Sequence, residues 1–265
     1  MIDIHHHCLP NVDDGPRDFE EAVALCRMAA DDGIDTIVAT PHVLRGRWQN
    51  TSRATLEDIA AKLRERVGDS PRILLGSEYF FAHDVAEVLA AGNAVIPLAE
   101  SRYVLIEFAA HAVPPFVDQP FYRLQLDGWT PVIAHPERNA VFQSKPELLA
   151  SLVRLGAKAQ VTAASLLGDF GSEARTAALD WITSGLAHFV ASDAHNLRKR
   201  PPRMTAALAL VREIAGETVA NALFIDNPRA VIEARALPYD PEPHLSQPKR
   251  GLLGRVTGFF KQRKL

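Results

Sequence analysis

Seven short apolar runs rich in β-branched residues recur along the chain, and most are followed by a segment of helical character. The runs are Ile2–His5, Thr36–Thr40, Arg72–Glu78, Tyr103–Phe108, Pro131–His135, Ala157–Thr162 and Leu186–Ser192. They are nearly continuous in apolar character rather than alternating, which predicts strands buried on both faces. Between them, Phe19–Asp32 places Phe19, Ala22, Val23, Leu25, Cys26 and Ala29 on one helical face. Leu56–Val67 does the same with Leu56, Ile59, Ala60 and Leu63, and Lys145–Leu155, Glu173–Ser184 and Arg203–Ala215 repeat the theme. Strand–helix repetition of this kind predicts an α/β fold with a parallel sheet covered by helices. Polar residues cluster after most strands rather than at one switch point, so a closed or distorted barrel fits better than an open sheet. The chain contains no G-x-G-x-x-G and no Walker sequence, the usual signals of a dinucleotide or ATP fold.

The length of 265 residues and a hydrophobic content of 47% suit one large core or two small ones, and a single α/β barrel commonly needs roughly this length. A formal net charge of -3 argues against nucleic acid as the main partner. Cys8 and Cys26 cannot form a disulfide framework, which predicts a reduced, cytoplasmic setting. The chain enters a strand at once, so no secretory signal is expected, and no apolar run reaches the ~20 residues that span a bilayer. The Pro-rich stretch Pro238–Pro248 reads as a linker after a body of residues 1–237. Residues 249–265 then carry Lys249, Arg250, Arg255, Lys261, Arg263 and Lys264 and no acid, which leaves -9 on residues 1–248. Leu252, Leu253, Val256, Phe259 and Phe260 recur there at near-helical spacing, while Gly251, Gly254 and Gly258 weaken a helix. Two readings of this basic tail stand: a surface or unstructured C-terminus, and an interfacial helix on the inner face of the cell membrane.

Candidate chemistry sits at the strand ends. His5 and His7 share one side of the first strand, because side chains alternate with period 2, while His6 points away. His42 follows Thr40-Pro41. Glu78 and Glu107 end apolar runs, where a carboxylate is costly to bury unless paired or bound to metal. His135 and the pair Asp193, His195 repeat the arrangement. In Asp13-Asp14-Gly15, Asp13 reads as a turn residue, whereas Asp14 stands between a turn and a ligand. Imidazoles and carboxylates delivered repeatedly to strand ends are what a polynuclear metal site needs, and they point to metal-assisted hydrolysis. Arg138 and Arg200, close after ligand candidates, read either as surface salt bridges or as a bidentate phosphate clamp. Cysteine catalysis fails a direct test: the residue six places after Cys8 is Asp14 and after Cys26 is Asp32, not the arginine a phosphate loop requires. A G-x-S-x-G elbow is also absent. His83, His111, His188 and His244 belong to no such set, and His188 is expected as a hydrogen-bonded core residue.

The order H-x-H, D-D-G, T-P-H, G-x-E, L-I-E-F, I-A-H-x-E-R, S-D-x-H-N and F-I-D-N-P, running from Met1 to about Leu237, resembles the PHP-class protein-tyrosine phosphatases of bacterial capsule and exopolysaccharide loci. That resemblance implies a distorted seven-stranded (β/α)7 TIM-like barrel with three divalent metals at its C-terminal face. Manganese comes first among the candidates, with iron, zinc or cobalt as alternatives. Carried over residue by residue, it assigns His5, His7, Glu78 and Asp193 to the first metal. The second shares Glu78 and adds Glu107 and His135; the third takes Asp14, His42 and His195. Arg138 and Arg200 match arginines that hold the phosphate. The implied substrate is phosphotyrosine in a protein, the Tyr-rich tail of a membrane tyrosine autokinase that controls polysaccharide export. Two alternatives stay open: a phosphatase of a small phosphomonoester such as histidinol phosphate, and a non-catalytic metal-binding module. His6 stands where the family has a small residue, and Arg45, Arg47 and Trp48 lie in a loop that varies within it.

Overall fold

The computed structural model describes residues 1–92 and 94–244. The expectations for the basic tail, and the last four residues of the Pro-rich stretch, lie outside the described residues.

Each of the seven apolar runs supplies a strand; the run Arg72–Glu78 is broken in the middle, and a further short strand follows the run Thr36–Thr40. The strands are β1 (Ile2–His6), β2 (Thr36–Ala39), β3 (His42–Val43), β4 (Arg72–Leu75), β5 (Glu78–Phe80), β6 (Tyr103–Glu107), β7 (Thr130–Ala134), β8 (Lys158–Thr162) and β9 (Phe189–Ala191). All pairings between them are parallel. One sheet runs β1-β2-β4 and the other β3-β5-β6-β7-β8-β9. The break between β2 and β3 falls at Thr40-Pro41, where proline has no N–H for the ladder. The break between β4 and β5 falls at Gly76-Ser77. A parallel bridge from His6 to Ala194 ties β1 to the segment after β9, flanked by hydrogen bonds from Asp193 N to His5 O and from His7 N to Ala194 O, each 2.9 Å.

Both faces of the strands are buried, as the continuous apolar runs require. One buried cluster, on one face of the strands, holds Ile2, Ile4, Val38, Leu98, Tyr103, Leu105, Val132, Ala134, Phe189 and Ala191. The opposite parity, including Ile37, Val104, Ile106, Ile133 and Val190, packs under the helices. The helix at Phe19–Asp31 starts where the Asp18 side chain accepts from Glu21 N and buries Ala22, Leu25, Cys26 and Ala29. The helix at Arg53–Val67 starts at Ser52 and buries Leu56, Ala60 and Leu63. Each buried Leu or Ile contributes about 1.5–3 kcal/mol. Helices at Pro146–Arg154, Ser172–Thr183 and Thr205–Ala215 match the expected amphipathic segments to within two residues at most ends.

Inward parity carries polar residues to the C-terminal ends. Tyr103 and Leu105 continue as Glu107, and Phe189 and Ala191 continue as Asp193. In β1 the apolar Ile2 and Ile4 face inward, so His5 and His7 would face out. The pairing of β1 with β2 slips by one residue between Asp3 and His6, and this bulge turns the later histidines inward.

At the N-terminal ends of the strands, the start of the Pro-rich stretch is fixed on the body rather than free. Asp240 pairs with Lys158 and His188, Tyr239 N donates to Asn227 Oδ1, and His244 N donates to Ser184 O. The linker expected from Pro238 therefore has no free portion before His244, because these side chains pin it.

Candidate metal centre

At the C-terminal strand ends, nine histidines and carboxylates converge. Four groups each offer ligand atoms within 4.8 Å of one another: His7, Asp14, His42 and His195; His5, Glu78 and His135; His5, His7 and Asp193; and His42, Glu78 and Glu107. Every ligand residue expected from the sequence is in this set. His6 lies outside it: it is buried, its ring nitrogens have no partner, and burial, followed by its histidine neighbours, holds it neutral with a pKa down at about 3.

The tautomers of three histidines follow from their acceptors. His5 Nδ1 lies 2.8 Å from Gln160 Oε1, His7 Nδ1 lies 2.7 Å from Asp13 Oδ2, and His195 Nδ1 lies 3.0 Å from the Asp193 carbonyl. Such oxygens only accept, so each Nδ1 carries the hydrogen and each Nε2 keeps its lone pair. The His5 and His7 Nε2 atoms nevertheless face each other at 3.2 Å. Two lone pairs at that distance need a cation between them: a proton on one ring, or a metal ion serving both. Glu78 Oε1 and Asp193 Oδ1 aim at the same place, 3.4 and 3.3 Å from His5 Nε2. Asp14 Oδ1 lies 3.3 Å from both His42 Nε2 and His195 Nε2. Glu78 Oε2, Glu107 Oε2 and His195 Nε2 are buried with no well-directed hydrogen bond.

Charge favours the same conclusion. Asp13, Asp14, Glu78, Glu107 and Asp193 face three guanidiniums, those of Arg45, Arg138 and Arg200. Burial works to neutralise Glu78, but the surrounding imidazoles hold its pKa well below the carboxylate range. Burial, and then the neighbouring Glu78, push Glu107 up to about 7. Burial opposes a charge on His7, yet Asp13 raises it well above its ordinary value, so protons and metal ions compete for its Nε2. A donor set of imidazole and carboxylate with outer acceptors already in place fits divalent ions of the Mn, Fe, Co and Zn group.

Local backbone features hold the set. A Cβ on Gly15 would lie 2.5 Å from the His7 carbonyl oxygen, so only glycine lets the Asp13-Asp14-Gly15 turn close on β1. His135 and Asp193 have φ of 31° and 52°, left-handed values that cost about 1 kcal/mol or more for non-glycine residues. Such strain persists where the surroundings over-determine it, and Arg138 and Arg200 both grip Asp193 Oδ2, Arg138 at 2.6 Å.

Four contributors escaped the sequence reading. Asp13 is a turn residue, accepting from Gly15 N, but its other oxygen orients His7 and accepts from His42 N. Gln160, a polar residue inside an apolar run, orients His5. Arg45 reaches Glu107 at 3.0 Å from its variable loop, where Trp48 stacks on His42 with ring centroids 5.4 Å apart. Phe170 lies under Arg138. A cavity of about 270 Å³ opens between these groups, lined by Arg45, Glu107, His135, Arg138, Phe170 and Arg200 among others. Neither cysteine reaches it. Cys8 and Cys26 are fully buried in the core, and the contact with Cys26, followed by burial, pushes the Cys8 thiol well above its ordinary pKa.

The chain is thus a parallel α/β body with clusters able to hold metal ions at its strand ends. It belongs to the CpsB/CapC family of capsular polysaccharide synthesis, whose family model matches residues 1–233. It is 42% identical over 203 residues to the tyrosine-protein phosphatase YwqE of Bacillus subtilis, covering 76% of this chain and 79% of that protein. It is 32% identical over 239 residues to the tyrosine-protein phosphatase CpsB of Streptococcus pneumoniae, covering 88% and 98%. A crystal structure from work on these two proteins, described as unique metal-dependent tyrosine phosphatases, superposes with a TM-score of 0.89 at 36% identity, covering 94% of this chain and all of that one. A lactonase from Listeria monocytogenes, 14% identical with a TM-score of 0.53 over 90% of this chain and 94% of its own, shares the fold.

Proposed function

We propose that this chain is a metal-dependent protein-tyrosine phosphatase whose body is a distorted seven-stranded barrel, with the interrupted β2/β3 and β4/β5 each counted as one strand. The observation that carries this reading is the convergence of imidazole lone pairs whose tautomers are fixed by Gln160, Asp13 and the Asp193 carbonyl. Three cations, manganese first, are assigned to His5, His7, Glu78 and Asp193; to Glu78, Glu107 and His135; and to Asp14, His42 and His195. Glu78, His5, His7 and His42 each fall in two groups, which supports shared or adjacent ions. Divalent cations held there supply Lewis acidity toward phosphate oxygens and acidify water, so that phosphate-ester hydrolysis needs no thiol.

The residues of the chain divide the remaining work. Gln160 and Asp13 keep His5 and His7 in the tautomer that presents Nε2. Asp193 divides its oxygens: Oδ1 faces His5 and His7, and Oδ2 holds Arg138 and Arg200 beside the cavity. The two guanidiniums are placed to clamp phosphate and neutralise charge that develops on its oxygens. Arg200 Nε is buried without a hydrogen-bond partner. Phe108, Phe142 and Phe170 line the cavity and supply apolar surface for an aryl group.

The family and its tyrosine phosphatase members support a phosphotyrosine protein as substrate, and we assign the Tyr-rich tail of a membrane autokinase in the capsule pathway. No helix among the described residues is long and apolar enough to cross a membrane. We place the enzyme in the cytoplasm, at the inner face of the membrane through its basic tail. Turnover of a phosphotyrosyl peptide should exceed that of histidinol phosphate in kcat/KM. A preference for histidinol phosphate would assign the site to a small phosphomonoester.

A further inference from the structure

Phe170 stands in a four-residue turn, Gly168-Asp169-Phe170-Gly171, that no strand-end motif includes. Its ring lies 4.6 Å from the Arg138 guanidinium carbon and 6.0 Å from that of Arg200. Both distances fall within the range of cation–π attraction. The two arginines come from different segments, one after β7 and one after β9, and meet at Asp193 Oδ2 and over this ring. A carboxylate fixes the edge of a guanidinium. It does not fix rotation about that edge, which an aromatic face does.

The turn that carries the ring is braced. Gly168 and Gly171 have φ of +98° and +92°, values that residues with a Cβ rarely adopt. Gly168 N donates to Ser165 O, Asp169 N to Ala164 O and Gly171 N to Gly168 O, at 3.0–3.1 Å. The helix Ala163–Leu167 before it is tied in turn to the Arg138 segment. Buried Glu137 accepts from Ser165 Oγ at 2.7 Å and from Thr162 N at 3.0 Å. The ring and Arg138 therefore belong to one hydrogen-bonded unit.

We infer that Phe170 is a positioning residue for the phosphate clamp: its face sets the planes of the Arg138 and Arg200 guanidiniums so that their free N–H groups point together at a phosphoryl group. This inference rests on the proposed role of the two arginines in holding phosphate. Inorganic phosphate is the discriminating probe, because it has no aromatic ring to stack on Phe170. Any effect of Phe170 on its binding passes through the arginines.

The experiment measures inhibition of the manganese-loaded, full-length enzyme by inorganic phosphate, with bound metal determined in parallel. Phe170→Leu should weaken phosphate about tenfold, the scale of one partly desolvated cation–π contact, with metal content unchanged. Phe170→Trp should restore most of it, since indole keeps a strong π face. In an Arg138→Ala, Arg200→Ala background, Phe170→Leu should add less than a further twofold change, because coupled residues are not additive. Unchanged phosphate inhibition in Phe170→Leu, alongside a large loss in the arginine variants, overturns the positioning role and leaves the clamp standing. Unchanged inhibition in the arginine variants themselves overturns the clamp. Loss of metal or of folding in both Phe170 variants assigns the ring a structural role and overturns the inference.

Discussion

Both ends of the parallel strands set buried histidine against carboxylate, yet they solve the problem in opposite ways. At the N-terminal end, His188 Nδ1 accepts from Ala159 N at 3.2 Å, so its Nε2 carries the hydrogen and donates to Asp240 Oδ1 at 3.1 Å. Lys158 Nζ lies 2.6 Å from both Asp240 oxygens. The polar groups of this triad have partners, and nothing more is needed. At the C-terminal end, Nδ1 of His5 and His7 is the donor and Nε2 is bare, and the two bare atoms face each other beside Glu78 and Glu107, each of which has one buried oxygen with no well-directed hydrogen bond. The same residue types make a closed structural contact in one place and an open, cation-seeking one in the other. The difference lies in which ring nitrogen the outer acceptor takes.

The sharpest way to break this contrast is to remove the carboxylate shared by two groups. Glu78→Gln should lower turnover of a phosphotyrosyl peptide by at least about 100-fold and reduce bound metal, since even outer partners of metal ligands are worth 10–100-fold. Near-normal turnover would end the polynuclear reading. One step smaller is the removal of an orienting acceptor. Asp13→Ala frees His7 Nδ1 and should weaken metal affinity by about 10–100-fold in chelator competition, with the fold intact by circular dichroism. If affinity holds, Asp13 is only a turn residue. Smaller again, Cys26→Ala should keep turnover within about twofold while costing stability of about 1 kcal/mol, as a buried core change does. A severe loss of turnover in a folded, metal-loaded protein would bring thiol chemistry back.

The smallest effects belong to the opposite end. Asp240→Asn should leave metal content and turnover unchanged. Its hydrogen bonds from His188 and then Lys158 lower Asp240 to about 2, so its contribution is present above the ordinary value of 3.8 and is lost as pH falls toward 2. Burial lowers the pKa of His188, so the unfolded chain binds protons first and stability falls as pH drops below the ordinary 6.5. The melting temperature should therefore decline on acidification, with a shallower final decline in Asp240→Asn. Asp240 is half-exposed, so this difference is at most about 1 kcal/mol. A loss of activity in that variant would mean that the two ends are coupled.

Much of this was legible in the sequence. Continuous apolar runs marked the strands because a doubly covered parallel sheet leaves no polar face, and ligand types at strand ends marked eight of the nine converging residues, with Asp14 added by the family resemblance. The short strand β3 was not expected, since it lies beyond the run that ends at Thr40, and the break at Gly76-Ser77 was hidden because the run was read straight through to Glu78. Gln160 was hidden because its role is a contact with His5 across 155 positions. Phe170 was hidden for a related reason. Its turn reads as an ordinary glycine-flanked loop, and only the fold brings it under two arginines from other segments. Asp240 shows the reverse error: a Pro-rich stretch looks like a linker until a single carboxylate is found pinned by a buried histidine and a lysine.

The most direct test of the central claim is to strip the purified protein with a chelator, count metal per chain before and after, and measure phosphotyrosyl-peptide turnover as manganese is returned. The account predicts more than one ion per chain in the active protein, turnover that disappears with the ions, and turnover that returns with them in both the native chain and Asp240→Asn. Full turnover in metal-free protein would show that the facing lone pairs are satisfied by protons alone, and the claim would fall.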